Sequence, residues 1–289
     1  MARDPHPTGR PEPFGARLLA AMDARGPLCV GIDPHPSLLT GWGLPDDPTG
    51  LAVFALTVVE ALAGEVAVLK PQSAFFERHG SRGIAVLERV IADARAAGAL
   101  VLVDAKRGDL GSTMQGYADT YLDQRSPLAA DAMTVTPYLG FGSLQPVIET
   151  AAANGAGVFV VALTSNPEGR ELQQAVCADG RTVGTTVLAE VARCNVGARP
   201  LGSVGAVVGA TLTESVADVV SVNGPLLAPG IGTQGGRPAD LPRIFGPAMR
   251  NVLPSVSREL LAAGPTLVGL RDAAARLNDA CRRAAEPTR

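Results

Sequence analysis

The sequence predicts an α/β chain closed into a single (β/α)8 TIM barrel, and three observations carry that expectation. Eight short, β-branched apolar runs alternate with Ala/Leu/Arg-rich helical stretches. The runs are apolar nearly throughout rather than at every second residue, as in a parallel sheet covered on its outer face. Several end in a charged residue, and the C-terminal ends of the strands are where such a barrel carries its chemistry.

In chain order, the first run is Leu28 to Asp33, closing on Gly31-Ile32-Asp33-Pro34-His35-Pro36, and the helical pattern Leu51 to Ala63 follows it. Val66 to Pro71 precedes the helix Gly83 to Ala97; Leu100 to Lys106 turns at Gly108 into the helix Gly111 to Asp123. Ala132 to Pro137 and Gly157 to Thr164 are the fourth and fifth runs. Thr150 to Pro167 is uncharged, but its apolar part, Gly155 through Leu163, falls well short of the ~20 residues that span a bilayer, so it reads as a buried strand. Asn166 to Pro200 is long for one connection and is expected to hold an irregular insertion around the helix Val183 to Ala192. Val204 to Thr211, Leu226 to Ile231 and Asn251 to Ser257 complete the strands, and Thr266 to Ala285 is the last helix. A doubly wound open sheet is the rival, but it would put a Gly-rich phosphate turn after the first strand, and none is there. No linker divides the chain, so one domain is expected over 14–289, preceded by a floppy, proline-rich tail over 1–13.

Composition narrows the function. The 289 residues are 46% hydrophobic and 18% charged, which excludes global disorder, collagen and coiled coil. A net charge of −3 supplies no general field for nucleic acid or an anionic membrane, so any anion must be held by a local site. The four cysteines are scattered without a C-x-x-C and there are only three histidines, against a zinc site or a disulfide framework. The N-terminus lacks the apolar core of a secretory signal, so a cytoplasmic protein is expected.

All but two of the 25 basic residues are arginines. Lysine differs in being a compact charge able to give up its proton, so Lys70 and Lys106 are candidates for proton chemistry. The strand ends supply Asp33, Lys70, Asp104, Lys106 with Asp109 just beyond, Thr164 with Ser165, and Arg258. Each alone has a structural explanation, such as an ion pair or a turn cap. Together they place several charges on one rim, and burying charge costs several kcal/mol unless it is paired or used. Period two puts Asp104 and Lys106 of Asp104-Ala105-Lys106-Arg107-Gly108-Asp109 on one face, with Lys70 in reach from the neighbouring strand. Such an alternating array keeps every member ionised, which suits stabilising and protonating a carbanion better than Schiff-base chemistry.

Pro229-Gly230-Ile231-Gly232-Thr233-Gln234-Gly235-Gly236 contains G-x-G-x-x-G, but it follows the seventh strand and no acidic residue lies at the spacing a dinucleotide site needs. Loops after strands seven and eight of a barrel commonly form a phosphate pocket, to which Arg258 can add a bidentate contact. No G-x-S-x-G, Walker A or H-E-x-x-H is present. Metal binding by Asp33, Asp104 and Asp109 stays open.

Gly31-Ile32-Asp33-Pro34, Lys70-Pro71-Gln72, Asp104-Ala105-Lys106-Arg107-Gly108-Asp109, Thr136-Pro137-Tyr138 and Pro229 through Gly236 occur in an order and spacing that resemble the orotidine 5′-phosphate decarboxylase family, in its longer bacterial subgroup, from about Leu28 to Arg258. The resemblance implies the barrel, decarboxylation of orotidine 5′-monophosphate as the last step of de novo UMP synthesis, no cofactor, and a homodimer with shared active sites. It further implies that Asp33 holds ribose hydroxyls, Lys70 contacts ribose and Asp104, Asp104 faces the substrate carboxylate, and Lys106 delivers a proton to C6. Asp109 and Thr113 would come from the partner subunit, Ser165 would read the pyrimidine amide edge, Pro229 would line the substrate site, and Gln234, Gly235 and Arg258 would hold the phosphate. Arg258 follows Ser257 where shorter members have glycine. Two rivals remain: the Mg2+-dependent sugar-phosphate branch of the same superfamily, which usually carries a carboxylate where Lys70 stands, and a non-catalytic nucleotide-phosphate-binding barrel, which would have no need of Lys106.

Overall fold

A computed structural model describes residues 11–212 and 216–286. Eight parallel strands pair in sequence order and close β8 onto β1, so the sheet is a barrel and not an open, doubly wound one. The strands are β1 (Cys29–Ile32), β2 (Val68–Pro71), β3 (Leu100–Arg107), β4 (Ala132–Val135), β5 (Gly157–Leu163), β6 (Val204–Val208), β7 (Leu226–Pro229) and β8 (Val252–Val256). Each falls inside its apolar run except β3, which continues one residue further, to Arg107.

The outer layer departs more from expectation. Before the barrel comes α1 (Phe14–Arg25), then α2 (Pro36–Gly41) and α3 (Pro48–Leu62), whose start is capped by the Asp47 carboxylate accepting from the Thr49 and Gly50 N–H groups. Then follow α4 (Ser73–Glu77), α5 (Gly80–Ala96), α6 (Gly111–Leu122) and α7 (Gln145–Ala153). The expected irregular insertion is ordered: α8 (Pro167–Gln173), a bridge pairing Val176 with Thr182, and α9 (Val183–Cys194). Its helix was hidden because α8 buries no side chain and so has no apolar stripe to read. Between β6 and β7 the described residues include a 3-10 segment, Ala217–Val222, followed after β7 by α10 (Leu241–Phe245), α11 (Arg258–Leu261) and α12 (Leu267–Ala285). Of the tail expected over 1–13, residues 1–10 lie outside the described residues, whereas Pro11 and Glu12 approach Gly155.

Two apolar layers result. One lies between strands and helices; the other fills the barrel, where Val68, Leu100, Leu102, Phe159, Leu227 and Leu253 meet Phe14 and Leu18 of α1. Thus α1 stoppers the N-terminal end of the barrel, with Phe14 edge-on to Phe159 at 5.9 Å. Arg17 fastens it by donating to Asp131 at 2.6 Å and to the Gly155 carbonyl at 2.9 Å. Along β3 the inward series runs Leu100, Leu102, Asp104, and along β8 Leu253 then Ser255, so the interior turns from apolar to polar toward the C-terminal end.

Candidate active site

At that end lies an open cavity of about 530 Å³, the size of a small-molecule site. Asp33, Lys70, Asp104, Lys106, Ser165, Pro229, Gln234 and Arg258 all line it, so eight of the residues singled out in the sequence share one space. Asp109, Thr113 and Gly235 do not line it.

The centre is a charge chain. Lys70, 5% exposed at the end of β2, donates to Asp104 Oδ2 at 3.0 Å. Lys106 donates to the other carboxylate oxygen, Oδ1, at 2.7 Å, and the Thr134 hydroxyl of β4 donates to the same oxygen at 2.8 Å. Burial works against the Asp104 charge, but Lys70, Lys106 and the Thr134 bond hold its carboxyl well below the usual carboxylate range. Burial likewise opposes a charged Lys70, yet the Asp104 and Asp33 carboxylates keep its ammonium above the ordinary lysine value. Lys106 is the accessible member, its side chain 46% exposed against 9% for Asp104. A buried carboxylate thus anchors a cation that is free to meet a ligand.

Around this chain sit polar groups without partners in the protein. Asp33 Oδ1 and Ser257 Oγ are buried, line the cavity and have no hydrogen-bond partner. Buried polar atoms are nearly always bonded, so an unpaired acceptor and hydroxyl in a cavity are prepared for a hydroxylated or polar ligand. His35 lies edge-on to Phe75 at 4.3 Å; burial pulls its imidazole below the ordinary value, opposed by Asp33 and assisted by Arg258.

The Gly-rich loop is held in shape by its own backbone. Gly230, Gly232 and Gly235 have φ of 113°, 84° and 94°, which L side chains rarely adopt. The N–H groups of Gly232, Gly235 and Gly236 donate within the loop, to the carbonyls of Gly236, Gly232 and Gly230 at 2.8, 2.7 and 3.0 Å. The Gly235 N–H thus bonds within the loop. Thr233 and Gln234 of the loop line the cavity, as does Arg258 at the start of α11.

Sequence reasoning did not single out His35, Thr134, Thr233 or Ser257. Thr134 and Ser257 carry no charge and stand in or beside apolar strands, where a hydroxyl gives no signal until its partner is known. Among the described residues no group of three or more His, Cys, Asp or Glu side chains is arranged to hold a metal ion. Both oxygens of Asp104 are already engaged by lysines.

The model of the orotidine 5′-phosphate decarboxylase / HUMPS family matches residues 26–272. An orotidine 5′-phosphate decarboxylase of Streptomyces coelicolor is 64% identical over 265 residues, 92% of this chain and 95% of that protein. One from Salinispora tropica is 62% identical over 273 residues, 94% of this chain and 98% of that protein. Among solved structures, a Streptomyces avermitilis protein described as an orotidine 5′-phosphate decarboxylase superposes with a TM-score of 0.91 at 63% identity, covering 95% of this chain and 96% of the other. The orotidine monophosphate decarboxylase of Leishmania donovani superposes with a TM-score of 0.77 at 31% identity, covering 94% and 99%.

Proposed function

The chain belongs to the orotidine 5′-phosphate decarboxylase / HUMPS family, and from that premise we propose how its site converts orotidine 5′-monophosphate to UMP and CO2, the last step of de novo pyrimidine nucleotide synthesis. The observation that carries the reading is Lys106: a cation held at 2.7 Å by a buried carboxylate, itself pinned by Lys70, and exposed to the cavity.

Breaking the bond between C6 and its carboxylate releases neutral CO2 and leaves the electron pair on C6. No adjacent π system delocalises that pair, so a fixed cation must stabilise it. The Lys106 ammonium does so and then donates its proton to C6, giving UMP and a neutral amine that regains a proton from solvent. Asp104 is not a base here, since nothing is deprotonated. It keeps Lys106 charged and aimed, and its own charge disfavours the bound carboxylate more than departing CO2. The unpaired Asp33 oxygen accepts from a ribose hydroxyl, with Lys70 beside it. Ser165 faces the pyrimidine, Pro229 packs beside it, and Gln234 and Arg258, which line the same cavity, hold the phosphate. That phosphate is remote from the breaking bond, and its binding energy serves to assemble the site.

The active unit is a homodimer in the cytoplasm. Asp109 and Thr113 lie outside the cavity of their own chain and flank the exposed Leu110 (59% exposed), whose carbonyl accepts from the Thr113 N–H at 3.1 Å. In the dimer they complete the partner's charge array. The two lysines on Asp104 favour this chemistry over that of the metal-using branch.

The test is the ultraviolet change when the purified protein meets orotidine 5′-monophosphate in EDTA, with Lys106→Ala beside it. Conversion by the wild type alone is expected. Turnover of a sugar phosphate that appears only with Mg2+ would overturn the reading in favour of the metal-dependent branch, and full activity of Lys106→Ala would remove the proton donor.

A further inference from the structure

The backbone that carries Lys106 is not a regular strand. Lys106 has φ of 46°, and among the described residues only one other non-glycine residue, Asn223, has positive φ. An L-residue adopts this left-handed conformation against a steric penalty and keeps it only where its surroundings impose it. The cause is a bulge: β3 and β4 are in register at Val103 with Met133 and again at Arg107 with Val135, four steps along β3 against two along β4. The extra chain is taken up around Lys106, whose N–H leaves the ladder and donates to Thr134 Oγ1 at 2.9 Å.

The far side of the bulge is held by Arg107. Its guanidinium reaches back over Lys106 to the Ala105 carbonyl at 3.3 Å, so one side chain ties together the residues on either side of the proton donor. The same guanidinium forms an ion pair with Glu77 of α4 and lies 5.4 Å from the ring centroid of Tyr117 on α6. Glu77 in turn accepts from the Ser73 hydroxyl at 2.5 Å. The Arg107 carbonyl accepts from the Thr136 N–H at 2.8 Å, restoring the ladder beyond the bulge. Neither Arg107 nor Glu77 lines the cavity.

We infer that Arg107 and Glu77 form a clamp behind the barrel wall that holds Lys106 in its left-handed turn, which makes them positioning residues for proton delivery. The inference rests on Lys106 being the proton donor. With the clamp released, the backbone at Lys106 relaxes toward extended geometry and its ammonium shifts from the place where the C6 electron pair forms. The ligand contacts of Asp33, Gln234 and Arg258 stay as they were. The clamp therefore acts on the chemical step and not on substrate binding.

Steady-state kinetics of Arg107→Met, Arg107→Lys and Glu77→Gln with orotidine 5′-monophosphate, beside Lys106→Ala, tests this. For Arg107→Met a drop in kcat of about 10- to 100-fold is expected, as for an ångström-scale misplacement of a reacting group, with KM within about threefold of wild type. Arg107→Lys, which keeps the pair with Glu77 and loses the fork to Ala105, recovers part of that loss. A kcat for Arg107→Met within about twofold of wild type, or kcat falling only in proportion to the folded fraction seen by near-ultraviolet circular dichroism, overturns the inference. Should Arg107→Met not fold, Glu77→Gln is read by the same split, a fall in kcat of about threefold or more at constant KM supporting the clamp and an unchanged kcat overturning it. Inactive Lys106→Ala beside fully active clamp variants defeats this inference alone, whereas active Lys106→Ala defeats the donor assignment and this inference with it.

Discussion

Asp104 is a carboxylate that three donors keep ionised inside a barrel, and its titration carries a stability consequence. An unfolded aspartate titrates near about 4, and the native Asp104 titrates lower because two lysines and Thr134 favour its charged form over the opposing effect of burial. The stabilisation is therefore present above the unfolded value and is lost as pH falls from about 4 toward the native value. Asp104→Asn should flatten the acid limb of a Tm-against-pH curve, and an unchanged limb would place the acid transition elsewhere. Lys70→Met leaves Asp104 with one cation fewer in a buried setting, and a loss of about 3 kcal/mol in urea unfolding is expected. The array was legible in the sequence because charged residues closing apolar runs are conspicuous. The left-handed turn at Lys106 was not, since no residue type announces it; only the register against β4 shows that β3 has chain to spare.

Among the elements, strands were read more faithfully than helices. An apolar run bounded by turn residues survives in any surroundings, whereas a short helix packed on a barrel leaves a stripe too brief to recognise. The helix α1 is a case in point: it precedes the first strand, outside the repeating unit, yet it supplies the end of the barrel core. Gly157, at the start of β5, is explained only by that packing, because a Cβ there would lie 2.3 Å from the Phe14 ring. Phe14→Ala should cost about 3 to 5 kcal/mol in urea unfolding and leave kcat unchanged, since the N-terminal end of such a barrel serves stability and the C-terminal end chemistry. The loop after β7 gives the opposite case. Gly232 sits at φ 84° and a Cβ there would meet the Glu259 side chain, so Gly232→Ala should cost about 1 to 2 kcal/mol in urea unfolding and, by disturbing Thr233 and Gln234, raise KM by about tenfold. Equal KM values would take the loop out of phosphate binding.

At the scale of the whole molecule, the proposed dimer divides each site between two chains. Lys106→Ala and Asp109→Asn then carry their defects in different halves of the shared site. Mixing the two inactive proteins under conditions of subunit exchange should restore about a quarter of the wild-type rate, because half of the dimers are mixed and each of those has one intact site. No recovery on mixing would show that each chain works alone. The stopper formed by α1 has its own bearing on traffic. A vessel closed at the bottom has one doorway, so UMP must back out by the path its successor takes in. The two nucleotides then exclude one another, and UMP should inhibit as a pure competitor, raising the apparent KM while leaving the rate at saturation untouched.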